Sequence, residues 1–300
     1  MDAKTAFLST RPWSFTMTFS SVTMGTLLAA IAGLFNPIFY ALTLGGMIAF
    51  HAATNVLNDF FDVKHGVDRE GAPTTKYRLH PAAFGQVPLS TTLAFSVSLY
   101  AVTLAAGIYL AFSSNVSILL VIAAGILGSV FYTADPIDLK ARSMGEPTVF
   151  IMWGLLIPLG AYMVQTGAFA WVPLLASVPI GIFVALVLLA NNIRDVGYDG
   201  TVREKTLAVT LGARRAQRVY LTLLAGAYAF VAAGMLVEQL PVWSFLVFLT
   251  VPGALRLARM FRGQVPDDAD PRTAALAFRF SLLYMASLVL FILVPVTLPI

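Results

Sequence analysis

The stretch that decides the fold is NVLNDFFDVKHGVD, Asn55 to Asp68. It follows an apolar run, PIFYALTLGGMIAFHAAT, Pro37 to Thr54, long enough to cross a bilayer. Carboxylates next to hydrocarbon are costly, so Asn58, Asp59 and Asp62 at the end of such a run demand a reason. A second stretch, NNIRDVGYDG from Asn191 to Gly200, repeats the problem after another apolar run. The rest of the chain agrees with a membrane setting. Of 300 residues, 58% are hydrophobic and 11% are charged, whereas soluble domains carry about 25% charge. Mean hydropathy is +0.82. There is no cysteine, which excludes disulfides and thiolate metal sites. His51, His65 and His80 show no metal-ligand spacing.

A crossing helix needs about 20 mostly apolar residues. Nine spans are predicted, at 14–34, 38–58, 91–112, 116–133, 147–165, 170–192, 217–237, 241–261 and 274–297. The fold class expected is therefore all-α and integral to the membrane, in one domain over 1–300. The N-terminal stretch lacks a signal-peptide cleavage pattern, so the first span is read as retained. The connections 34–38, 112–116, 165–170 and 237–241 are short and almost uncharged. Those at 59–90, 134–146, 193–216 and 262–273 are long and polar. With nine spans, all 19 Lys and Arg fall on the side of the N-terminus and the long loops. Of the 15 acidic residues only Glu238 falls opposite. Positive-inside asymmetry places the long loops in the cytoplasm.

Residues three or four apart share a helix face. Asn58 and Asp62 are four apart; Asn191, Asp195 and Asp199 repeat at four. The echo after the second and sixth spans suggests two four-helix halves plus one further helix. Asn and Asp are ordinary helix-end residues on a wet edge, but two such motifs on one membrane face point past that reading. Their carboxylates repel unless a cation sits among them. The donors are all oxygen, which favours Mg²⁺ over zinc, and two motifs could hold two Mg²⁺ around one diphosphate. Basic residues stand near. Lys64, Lys76 and Arg78 follow the first motif, Lys140 and Arg142 lie in the loop YTADPIDLKARSMGE, and Arg194 and Lys205 flank the second motif. Arg78, Lys140 and Arg142 stand out, because their loops also carry Tyr, Asp and Gly. The groups Arg214–Arg215–Arg218 and Arg256–Arg259–Arg262 read as lipid-headgroup anchors.

These residues resemble the UbiA superfamily of intramembrane prenyltransferases over nearly the whole chain. Within it the sequence is most similar to the 1,4-dihydroxy-2-naphthoate polyprenyltransferase branch of menaquinone synthesis. The pieces that carry the resemblance are RPWSFTMT, NDFFDVKHGVD, GEPTVFIMWGLLIPLGAYMVQTG and NNIRDVGYDGTVREKTLAVTLG. It implies nine helices in a UbiA-type bundle and Mg²⁺ held by Asp59, Asp62, Asp195 and Asp199. It also implies a polyprenyl diphosphate that ionises and an aromatic acceptor that attacks the allylic cation. Asn58 and Asn191 would orient the carboxylates or reach a metal. Arg78, Lys140, Arg142 and Lys205 are the basic residues placed to meet phosphate. Tyr132 is either a phosphate contact or an interfacial anchor. The general motif has a third acidic residue at position 66; here that is Gly66, and Asp68 is the substitute, as base or as metal contact. Loop 71–89 is the expected lid. Other acceptors (4-hydroxybenzoate, homogentisate) and a terpene cyclase are rivals on the same fold. An ion-coupled transporter is the rival of another class, although transporter sites lie near mid-bilayer at broken helices. Nothing suggests a nucleic-acid partner.

Overall fold

A computed structural model describes residues 1–296. Its long helices are α1 (Phe15–Ile31), α2 (Pro37–Lys64), α3 (Leu89–Ser113), α4 (Ile118–Thr133), α5 (Gly145–Thr166), α6 (Val178–Asp199), α7 (Ala213–Leu236), α8 (Val242–Arg262) and α9 (Ala269–Leu293). Short helices Ala3–Ser9, Pro73–Tyr77, Val172–Ala176 and Leu207–Leu211 sit in the connections. Among the described residues the only extended pairing is one isolated bridge between Arg142 and Lys205.

Among the described residues, eight helices are long and apolar enough to cross a membrane. The predicted fourth span is shorter. α4 has 16 residues, about 24 Å at 1.5 Å per residue, less than the roughly 30 Å of hydrocarbon. The last predicted span ended at 297, which lies outside the described residues. Large apolar side chains such as Phe112, Leu120 and Leu255 remain exposed on the outside of the bundle. Water would penalise them and acyl chains would not, so the protein is integral to the membrane.

The second predicted span stopped at 58, whereas α2 continues to Lys64. Asn36 caps its start, accepting from the backbone N–H of Ile38 and Phe39, with Pro37 at the first turn. Gly66 ends it at φ +73°. The Val67 N–H reaches the Asp62 carbonyl at 2.8 Å and the Gly66 N–H reaches that of Val63 at 3.1 Å, a Schellman closure that needs the left-handed residue. That is why position 66 is glycine rather than an acid. α6 is the most buried span. Phe183 packs with Tyr228 and Phe280 around it, and the helix lies against α5, α7 and α9.

Two close approaches set how α5 crosses its neighbours. A Cβ on Gly25 of α1 would fall 2.1 Å from the Pro158 carbonyl oxygen, and one on Gly154 would fall 2.7 Å from the Gly181 Cα of α6. Small residues at such crossings let backbones touch. Around Gly154 α5 widens into a π turn over Met152–Leu156, with the Ile157 N–H on the Met152 carbonyl. In that register Pro158 would serve the Trp153 carbonyl but has no N–H. The Ser21 hydroxyl of α1 donates there instead, at 2.7 Å. These contacts fix the walls of a cavity that opens between α2 and α6.

Candidate active site

The extended α2 puts Asn58, Asp59 and Asp62 on its last two turns, but they point different ways. Asp62 accepts from Asn58 Nδ2 and from Lys140 Nζ, both at 2.6 Å. Lys140 also lies 3.4 Å from Asn58 Oδ1 and 3.4 Å from Glu204 Oε1. Burial alone would lower the Lys140 ammonium, yet Asp62 first and Glu204 next hold it well above the ordinary lysine value. Asp59, one residue further round the helix, faces loop 65–88 and takes the fork of Arg78, at 2.7 and 2.9 Å, together with Arg11.

Asp68 is the hub of that loop. The Ala83 N–H donates to His80 Nδ1, so Nε2 is assigned the proton and donates to Asp68 at 2.8 Å. Thr74 donates to the other oxygen, and Arg78 lies 3.5 Å away. Burial pushes the Asp68 carboxyl up, but the hydrogen bonds from His80 and Thr74 outweigh it and hold the group below the usual carboxylate range. Asp59, Asp68 and His80 bring ligand atoms within 4.8 Å of one another, a grouping the sequence spacing of the histidines did not show. The guanidinium groups of Arg11 and Arg78 already serve it, and their charge opposes a metal ion there. Asp68 is thus turned into the loop and does not line the cavity.

On α6, Asp195 is clasped by its neighbour Arg194, Nε to Oδ1 at 2.8 Å and Nη2 to Oδ2 at 2.6 Å. Arg194 also donates to Asn191 Oδ1 at 2.7 Å and pairs with Asp270 of α9. Its guanidinium lies 4.3 Å from the ring centre of Tyr77, and Tyr198 donates to the Val67 carbonyl at 2.7 Å. The expected lid thereby spans from one motif to the other. Asp199 is half-buried, within electrostatic range of Asp195, Lys140, Glu204 and Asp62.

Between the motifs lies a cavity of about 520 Å³. One end carries Asn58, Asp62, Arg78, Lys140, Asn191 and Arg194; the other is walled by Met17, Phe50, Met152, Trp153 and Val184. A smaller apolar pocket of about 100 Å³ shares the Phe50 and Met152 walls. His51 sits in the apolar wall, held through Nδ1 by Thr18 at 2.8 Å, with Trp153 Nε1 on the same hydroxyl at 3.2 Å.

Of the expected residues, Asn58, Asp62, Arg78, Lys140, Tyr132 and Asn191 line this cavity. Asp59 and Asp195 stand directly behind it, each masked by arginine. Arg142 and Lys205 point away. Both are exposed, Arg142 donates to the Pro136 carbonyl at 2.9 Å, and their backbones form the isolated bridge. Their backbones join two loops, and neither side chain lines the cavity. Arg11, Arg78, Lys140 and Arg194 bring cationic groups to these carboxylates from within the chain. Arg11, Tyr77, His51 and Glu204 are additions from the fold. Arg11 stands in the quoted RPWSFTMT stretch; the others carry no local signal.

The sequence pattern of the UbiA prenyltransferase family matches residues 18–283. The chain is a UbiA-family prenyltransferase. Relatives of this prenyltransferase include the 1,4-dihydroxy-2-naphthoate octaprenyltransferase of Bacillus subtilis (strain 168), 28% identical over 257 residues, which are 84% of this chain and 80% of that one. UbiA prenyltransferase domain-containing protein 1 of Rattus norvegicus is 29% identical over 289 residues, 94% of this chain and 82% of its own. Among solved structures, a UbiA homolog from Archaeoglobus fulgidus bound to GPP and Mg²⁺ superposes with TM-score 0.67 at 14% identity, covering 94% of the prenyltransferase and 99% of that chain. At that identity the likeness establishes the fold.

Proposed function

We propose that this single-domain enzyme transfers a polyprenyl group from an allylic diphosphate to 1,4-dihydroxy-2-naphthoate, in menaquinone synthesis, with Mg²⁺. The observation that carries the reading is the division of one cavity into a charged end and an apolar end. A diphosphate with a hydrocarbon tail has the same division. Lys140, Arg78 and Arg194 lie where they can donate charge-assisted hydrogen bonds to phosphate oxygens. Tyr132 stands beside them as a further donor.

The residues fit Mg²⁺. The donors are oxygens only, from Asn58, Asp62 and Asp199, and the buried Glu204 beside them has one oxygen without a partner. When bound, the ion neutralises diphosphate charge and eases departure of the leaving group. Asp59 and Asp195 act one step back, holding Arg78 and Arg194 toward the phosphates. As the C–O bond breaks, the bond electrons leave with the diphosphate, and the basic end stabilises that charge. The aromatic faces of Phe50 and Trp153 favour the allylic cation over neutral carbon. Loop 71–89, closed over the charged end by Tyr77 and Arg78, keeps out the water that would quench it.

The naphthoate acceptor is supported by the Bacillus relative and by the NNIRD…TLAVTLG segment. The positive-inside asymmetry supports a charged end that faces the cytoplasm. The test is diphosphate release by purified protein given geranylgeranyl diphosphate, with and without Mg²⁺ and the naphthoate, and the lipid products weighed by mass spectrometry. Release needing both, with a prenylated ring as product, is expected. Mg²⁺-dependent release without acceptor, giving a hydrocarbon or alcohol, would replace transfer by cyclisation. A product formed only with 4-hydroxybenzoate or homogentisate would replace the acceptor.

A further inference from the structure

Glu204 belongs to neither acidic motif, yet it is 5% exposed. Its placement follows from the bridge between Arg142 and Lys205. In extended backbone, alternate side chains face opposite ways. Arg203 and Lys205 are exposed and Glu204 between them is buried. Ser143 fastens the same pairing, donating to the Lys205 carbonyl at 2.7 Å. The bridge thus presses a carboxylate inward beside the loop that carries Lys140.

Glu204 is underpaired there. Oε1 has only Lys140 Nζ, at 3.4 Å, and Oε2 has no partner at all. A buried carboxylate in that condition is costly. Lys140 Nζ is in turn surrounded by oxygens from three residues: Asp62 at 2.6 Å, Asn58 at 3.4 Å and Glu204 at 3.4 Å. Asp199 is within electrostatic range of the same ammonium. Three carboxylates outnumber the single charge of the ammonium, and a divalent ion in its place would offset two of them rather than one. The donors are an amide and carboxylate oxygens, suited to a hard cation.

We propose that Glu204 is a further divalent-cation ligand, and that the Lys140 ammonium marks the place the cation takes among Asp62, Asn58 and Glu204. The proposal rests on the Mg²⁺ site put forward above and adds to it a ligand from outside both motifs. The cation displaces the ammonium, and Lys140, on its flexible stem, turns to the diphosphate in the same cavity. Lys140 thus keeps the site from flying apart before the cation arrives and becomes a phosphate ligand afterwards.

The test is Mn²⁺ binding to purified protein in detergent, read by electron paramagnetic resonance, with and without inorganic pyrophosphate. Wild type is expected to bind, and Asp62→Asn to lose binding. Glu204→Gln is expected to weaken Mn²⁺ at least about tenfold, the scale on which even indirect partners of a metal matter. Lys140→Met, without pyrophosphate, is expected to tighten Mn²⁺, because a competing cation has gone. Wild-type affinity in a folded Glu204→Gln protein, with binding lost in Asp62→Asn, would overturn the inference and leave the metal site standing. Unchanged or weaker Mn²⁺ binding by Lys140→Met would overturn it as well, and does not depend on how Glu204→Gln folds. No Mn²⁺ bound by wild type would remove the underlying metal-site reading and the inference with it.

Discussion

Asp59→Asn, measured in EDTA, separates two ways a carboxylate can serve this cavity. In the structure Asp59 receives both prongs of Arg78 and a bond from Arg11, and its side chain is 4% exposed. The asparagine has the same shape, but its Nδ2 would face an Arg78 N–H, donor against donor, and two guanidinium groups would lose their main counter-charge. Breaking one partner of a buried ion pair costs about 3–5 kcal/mol. The lower end applies, because the Arg11 side chain is 23% exposed and Asp68 remains 3.5 Å from Arg78. A loss of about 3 kcal/mol lowers Tm by roughly 5 °C in a chain of 300 residues, at about 2.1 cal/mol/K of unfolding entropy per residue. The assay is thermal unfolding in detergent, followed by intrinsic fluorescence. The double variant Asp59→Asn/Arg78→Gln is expected to cost less than the two singles together by about 2 kcal/mol, since each single strands the other's partner. Were Asp59 a bare metal ligand among like charges, Asp59→Asn in EDTA would instead raise Tm or leave it unchanged. That outcome, or strict additivity of the pair, would refute the assignment.

Three further outcomes follow from the packing and the loop. Ser21→Ala leaves the Trp153 carbonyl without its donor and is expected to cost about 1–3 kcal/mol in the same unfolding assay. Gly181→Val places a Cβ 2.6 Å from the Gly154 Cα, so α5 and α6 must separate; expression of folded protein is expected to collapse, whereas Gly45→Ala, with open space at its Cβ, should be tolerated. The Asp68 carboxyl is depressed in the folded state, so it binds a proton more weakly there than in the unfolded chain. Its contribution is fully present above about pH 4, the unfolded value, and is lost as the pH falls further; protease protection of loop 65–88 should therefore weaken below about pH 4 in wild type and already be weak at neutral pH in Asp68→Asn.

Much of this was legible along the chain. Apolar runs and the one-sided Lys and Arg mark an all-helical membrane protein, because hydrocarbon admits little else. The spacing of Asn58–Asp62 and Asn191–Asp195–Asp199 marks the two helix ends that meet at the cavity. The fourth span is the least legible, since hydropathy sees composition and not where a helix stops: α4 has 16 residues. That Arg142 and Lys205 are exposed and do not line the cavity is not legible, because a basic residue beside a motif looks the same whether it faces a cavity or solvent.

What the sequence determined by itself is therefore class and neighbourhood: a membrane helix bundle with paired acidic motifs on one face. Only the tertiary structure decided partners. Asp59 and Asp62 are three apart and look equivalent, yet one faces two arginines and the other a lysine, because three residues carry a side chain most of the way, but not all the way, round a turn. Loop 65–88 and the bridge at Lys205 bring Arg78, His80 and Glu204 to those faces across tens of residues. Charge pairing falls off over ångströms in space and has no counterpart in distance along the chain.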